Sequence, residues 1–231
     1  ADTNAFEAKR LAVVRGNLFT RDGAPLPGVT VTVSGHPEYG QTLSRLDGGY
    51  DLAVNGGDEV SVDFRKAGYL AARRTAKTGW QGFSVLPDVR LITADPVATE
   101  VQFGSGVTNA QVARAGAVTD ADGTRRATVI LPSGVQAYVT DGASVTQAVS
   151  RLTLRFTEYT VGTNGPACMP APLPSSSAYT YCVELAADQA NGQTVVFDRP
   201  VSFYVENFLG MPVGLNVPAA YYEWKGCPGW M

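Results

Sequence analysis

The chain has 231 residues, of which 45% are hydrophobic and 17% charged, with 25 Gly, 14 Pro and a formal net charge of −3. So small a negative charge offers no basic field to nucleic acid, and no apolar run reaches the roughly 18 residues that a membrane helix needs. The abundance of glycine and proline suits many short strands and turns rather than packed helices, in a chain long enough for one large or two ordinary domains.

The start, "ADTNAFEAKR", has no Met, as in a mature secreted protein freed of its leader or a chain trimmed for expression. Scarce Lys, a single His and plentiful Thr, Ser, Val and Gly lean toward an exported, extracellular or cell-surface protein. In "GVTVTVSG", Val29, Val31 and Val33 point one way and Thr30, Thr32 and Ser34 the other, the period of a half-buried strand. "GGYDLAVNGG" repeats the pattern with Tyr50, Leu52 and Val54. "DEVSVDFRKAGYL" predicts Val60, Val62 and Phe64 inward, with Ser61, Asp63 and Arg65 outward. "RDGAPLPG" and "LDGG" are turns, since Asp-Gly tolerates positive φ and proline fixes φ while removing a ladder donor. Strands about ten residues apart with such punctuation argue for a sandwich.

Pro96, in a linker at about residues 93–97, marks a boundary between a β-sandwich over 1–94 and a second β-rich domain over 95–231. In the second, "RRATVILPSGVQAYVTDGA" reads as strand, turn, strand. "SRLTLRFTEYTVG" predicts an apolar face of Leu152, Leu154 and Phe156, with Arg151, Thr153, Arg155 and Thr157 wet. Strands are also expected in "AYTYCVEL", "QTVVFDRPVSFYVENF" and "GLNVPAAYYEW", and "VELAADQANG" has room for one helical turn. The expected class is all-β.

Little in the sequence points to catalysis. His36 is the single histidine, too few for the common zinc sites, and no Gly-x-Ser-x-Gly elbow accompanies it. Turn carboxylates at Asp47, Asp51, Asp58, Glu59, Asp120 and Asp122 are oxygen ligands of the kind calcium takes, but EF-hand spacing is missing and β-turns select the same residues. No aromatic-plus-acid cluster suggests glycoside hydrolysis. No catalytic residue, metal or cofactor is expected.

Cys168 and Cys182 flank "CMPAPLPSSSAYTYC"; in an oxidising compartment a bridge is expected there, closing a loop of about 15 residues and stabilising by about 3 kcal/mol. The other reading is two unrelated buried residues. Cys227 is left over, as a free thiol, an intermolecular link or an accident of the chain end. "VSFYVENFLGMPVGLNVP" is denser in apolar residues than a monomer surface tolerates. Either it is core of the second domain or part of it docks on something outside the chain. Tyr221, Tyr222, Trp224 and Trp230 can stack on sugar rings or on a partner, or cover apolar surface. Phe203, Tyr204, Phe208, Leu209, Tyr221, Tyr222 and Trp224 form the expected interaction surface.

Gly16, Gly23, Pro25, Pro27, Gly28 and Val29, then Asp47, Gly48 and Tyr50, then Gly68 and Tyr69 resemble the pattern of the carboxypeptidase regulatory-like, or transthyretin-like, domain. The resemblance implies a non-catalytic accessory sandwich; "SRLDGGY" departs from the usual Thr-Asp preceding Asp-Gly-x-Tyr. "LTLRFTEYTVGTNGPACMPAPLPSSSAYTYCVEL" and "FDRPVSFYVENFLGMPVGLNVPAAYY" resemble the segment before the repeats in bacterial RHS/YD-repeat proteins, which are similar to teneurins. That resemblance implies a plug-like β-domain packing on a shell of repeats, although no YD repeats occur in this chain. The expectation is a non-enzymatic extracellular structural or interaction module that packs on such a shell or self-associates into a surface assembly or filament. The alternative is a carbohydrate-binding or adhesive module. A protein partner or self-association is expected, with a glycan as the other option.

Overall fold

A computed structural model describes residues 2–141, 146–190, 192–224 and 229–231. The chain is almost entirely β and divides into two compact units. The first comprises Ala1–Thr93, Thr163–Thr180 and Pro218–Met231, and the second Ala94–Gly162 and Tyr181–Val217.

The first unit contains β1 (Leu11–Thr20), β2 (Thr30–Val33), β3 (Gln41–Leu43), β4 (Gly49–Asn55), β5 (Glu59–Arg65), β6 (Ala72–Lys77), β7 (Phe83–Val85) and β8 (Val89–Leu91). One sheet runs β4-β1-β7, with β8 pairing the later half of β1; the other runs β3-β2-β5-β6. The alternating residues meet between the sheets as expected. Val29, Val31 and Val33, then Tyr50, Leu52 and Val54, then Val60, Val62 and Phe64 are all buried in one core, with Ala12, Val14 and Leu18 from β1. The "LDGG" turn shows why glycine is required. Gly48 has φ +83°, and a Cβ there would lie 2.3 Å from the Leu18 carbonyl oxygen.

One expected outward residue is buried. The β5–β6 register sets Asp63 opposite Arg73, and the guanidinium donates to both carboxylate oxygens at 2.5 and 3.0 Å. The C-terminal segment lies over this pair, with the Trp224 ring 5.4 Å from the Arg73 guanidinium carbon. An outer-face position is thus buried by chain far away in sequence.

The second unit holds β9 (Thr99–Gln102), β10 (Gln111–Arg114), β11 (Val118–Asp120), β12 (Gly123–Arg125), β13 (Ala127–Leu131), β14 (Ala137–Thr140), β15 (Thr146–Val149) and β16 (Arg151–Glu158). After a short helix, α1 (Gly165–Cys168), come β17 (Val183–Ala187), β18 (Thr194–Phe197) and β19 (Ser202–Val205). Its sheets run β10-β13-β19, β15-β14-β18 and β17-β16-β9, beside the hairpin β11-β12. Leu152, Leu154 and Phe156 join Val101, Val129, Leu131, Val135 and Ala137 in its core. Thr157, expected to be wet, is buried and accepts from the Asp95 amide at 2.9 Å. The expected helical turn is a 3-10 turn over Asp188–Ala190.

The expected bridge between Cys168 and Cys182 is not formed; both are free thiols. Cys168 ends α1, packed into the first unit, while Cys182 precedes β17 in the second, so each thiol is held by different partners. Burial pushes the Cys168 thiol up, with Arg21, Arg90 and Arg74 pulling the other way. Burial pushes Cys182 up to about 12, helped by Glu184 and Glu158. Cys227 lies outside the described residues. The hairpin β20 (Tyr222–Glu223) and β21 (Gly229–Trp230) completes the first unit.

Candidate interaction surfaces

β19 is the outermost strand of its sheet, paired only with β13, Phe203 facing Val129 and Tyr204 facing Thr128. Successive side chains of a strand point to opposite faces. Phe203 and Tyr204 are nevertheless both exposed, at 47% and 54%. Val201, two residues before Phe203, is half-buried and packs against the core of the second unit.

Beyond β19 the chain leaves the sheet and makes two turns. Asn207 pins the first. Its side-chain amide donates to the Met211 carbonyl and accepts from the Met211 amide, both at 2.8 Å, while the Gly210 amide reaches the Asn207 carbonyl at 3.3 Å. In the second turn the Leu215 amide donates to the Pro212 carbonyl at 3.2 Å, and Gly214 takes φ +87° at the position where a type II turn requires glycine. Each turn lifts an apolar side chain into solvent. Leu209 is 43% exposed and Val213 is fully exposed at 104%, with Leu215 and Val217 following. This segment is therefore not core, and hydrogen bonds within its two turns fix its shape.

The other expected surface residues divide. Phe208 is half-buried, its ring 4.5 Å from the guanidinium carbon of Arg125 and edge-on to Tyr181. Arg125 is among the most deeply buried side chains and holds two carboxylates. It meets Asp120 at 2.5 and 2.8 Å and Glu158 at 2.9 and 2.7 Å. That contact, together with amides from Gly162 and Asp122, holds the Asp120 carboxyl far below the usual carboxylate range. Phe208 covers this ion network and is structural. Tyr222 and Trp224 are half-buried too, because Tyr222 packs edge-on between Trp224 and Trp230 at 5.0 and 5.4 Å. Tyr221 is exposed at 61%.

Chemistry is sparse elsewhere. His36 pairs with Glu38 at 2.8 Å and stacks on Tyr39. The turn carboxylates engage the protein itself: Asp47 accepts from the Gly49 amide, Asp58 from the Glu59 amide, and Asp51 binds Arg15 and Arg45. Among the described residues no group of three or more His, Cys, Asp or Glu could hold a metal. A depression of about 420 Å³ on the first unit, lined by Arg65, Lys66 and Tyr69, has no carboxylate or imidazole in its lining.

Leu215 and Val217 extend the exposed run beyond Val213 and were not singled out from the sequence. Their signal was available, since Pro212, Gly214 and Asn216 between them are turn formers that cannot build a packed strand.

The first unit's sandwich, with β1 joined in parallel to β7 and β8, resembles a transthyretin-like domain over residues 6–91. Residues 6–91 match the family described as the teneurin TTR-like domain. Teneurin-1 of Gallus gallus is 37% identical over 91 residues, 39% of this chain and 3% of its own length. Teneurin-4 of Homo sapiens is 35% identical over 37% of this chain and 3% of its own, and Teneurin-m of Drosophila melanogaster 39% identical over 35% and 3%. The chain thus spans only about 3% of the curated relatives it matches. A solved structure titled as a streptococcal ancillary pilin aligns at a TM-score of 0.26 and 11% identity over 61% of this chain and 59% of its own, too loosely to carry an argument.

Proposed function

We propose that the chain is a non-enzymatic structural and interaction module of an extracellular protein. In this reading the first unit, built on residues 1–93, supplies a teneurin-like transthyretin domain, and the second unit, residues 94–162 and 181–217, a plug-like β-domain that docks on another protein surface. The observation that carries it is the pinned double turn after β19, which holds Leu209 and Val213 in water where a partner surface could bury them. The exposed aromatics of β19 extend the same surface. The partner is a shell of YD repeats, as in the proteins the second domain resembles, or a second copy of the chain.

The test is sedimentation of the whole chain, alone over a wide concentration range and mixed with a YD-repeat shell. Association in either arm, lost in Leu209→Asp/Val213→Asp, is the expected result. A monomer indifferent to shell and concentration overturns the reading. The carbohydrate alternative rests on Tyr221 alone, because Tyr222 and Trp224 are packed against each other and Trp230.

A further inference from the structure

We propose that residues 163–180 form a strap that closes the open edge of the transthyretin-like sandwich reversibly, with Arg74 as its latch and the Cys168 thiol as the group that opening uncovers. β6 ends its sheet, and an end strand presents unpaired amides and carbonyls. The strap takes that place: the Arg73 amide donates to the Pro170 carbonyl at 2.7 Å. Pro166, Pro170, Pro172 and Pro174 leave the strap few donors of its own, so it covers the edge without presenting a fresh ladder.

Arg74 faces the strap. Its guanidinium, 5% exposed, donates to the Ala167 carbonyl at 2.9 Å, the Pro170 carbonyl at 3.3 Å and its own neighbour's carbonyl at 2.7 Å. All three are main-chain oxygens, and two belong to the strap. Burial lowers the Arg74 pKa to about 10, which leaves it charged at neutral pH and dependent on those oxygens. The rest of the anchor is small. Cys168, Met169, Pro170 and Ala171 are buried, while residues 174–178 are exposed. Asn164 adds one hydrogen bond to the Arg21 carbonyl at 3.0 Å, and Trp230 adds one to the Pro172 carbonyl at 3.0 Å. An anchor of this size can release while the sandwich core stays folded, since proteins open locally at well below the global free energy. Release turns Cys168 from a 2% exposed thiol into a solvent-facing one.

The experiment follows thiol labelling of Cys168 in the full chain carrying Cys182→Ser and Cys227→Ser, from buffer into mild urea. The expected background rate rises only weakly with urea, as for an opening that exposes little surface. Arg74→Met should then label at least about tenfold faster, with the weak urea dependence of the opening retained. Labelling unchanged in Arg74→Met, or labelling with the full urea dependence of global unfolding, overturns the proposal. Should Arg74→Met fail to fold, Asn164→Ala decides. A rise of about two- to fivefold supports the strap, and no rise overturns it.

Discussion

The two units each bury an arginine, and they satisfy it in opposite ways. Arg125 in the second unit sits between Asp120 and Glu158, so its charge is matched by side chains of β11 and β16. Arg74 in the first unit donates to carbonyl oxygens, two of them on a segment that lies almost a hundred residues away. A carboxylate pair is a closed local arrangement, and removing its cation strands the buried Glu158 and the partly buried Asp120. A carbonyl cage works differently, because its oxygens stay neutral whether or not the cation is present. The same residue type therefore acts as a permanent core element in one unit and as a fastening in the other.

The contrast can be broken most forcefully at Arg125. Arg125→Met leaves Asp120 and Glu158 without their cation, and urea titration should register a loss of about 3–5 kcal/mol from the second unit. Arg74→Met should cost less, about 1–3 kcal/mol, since only neutral carbonyls lose a partner. An equal loss at the two sites would erase the distinction.

Acid sharpens it further. The Asp120 carboxyl is held far below its ordinary value, so its contribution is complete above the unfolded value near 3.8 and fades as pH falls from there toward the folded value. Thermal melts of the second unit should fall below about pH 4, and Asp120→Asn should flatten that slope while lowering the neutral plateau. Glu184 has the opposite sign. Burial raises its pKa even though Tyr159 donates to it at 3.0 Å. Its contribution is full below the unfolded value near 4.5 and is lost as pH rises through the folded value. Glu184→Gln should therefore stabilise modestly at pH 7 and have no benefit at pH 4. The smallest effect on stability is expected at Val213→Asp, within about 0.5 kcal/mol by urea titration, because the side chain touches only water.

The sandwich was legible because its signal is local. Val29 to Val33, Tyr50 to Val54 and Val60 to Phe64 alternate with the pleat, and each strand can be read without knowing its neighbours. Asp63 and Phe208 escaped the same reading. A charge on a strand's outer face is normally wet, and only the C-terminal aromatics arriving over Arg73 bury it. A phenylalanine in an apolar run looks like part of a sticky surface until an arginine from β12 is placed beneath it. The cysteines misled for a related reason. An oxidising compartment argued for a bridge across the Pro/Ser-rich loop, but the Ala167 carbonyl of α1 accepts from Arg74 while the Cys182 amide donates to the Thr160 hydroxyl. The docking turns were half legible, their apolar density visible in the sequence and their exposure visible only once Asn207 and Gly214 were placed.

The composite make-up of the first unit also orders its assembly in time. Its first eight strands have emerged once residue 93 is made, but the strap is 70 residues further on and the closing hairpin lies beyond residue 217. At a synthesis rate of about 5–20 residues per second, the β6 edge waits about 4–15 s for its cover. During that interval the newborn sandwich presents an open strand and an unfastened guanidinium to whatever else is nearby. The unit that reads most plainly from the first third of the chain is thus finished only after the second unit has been made.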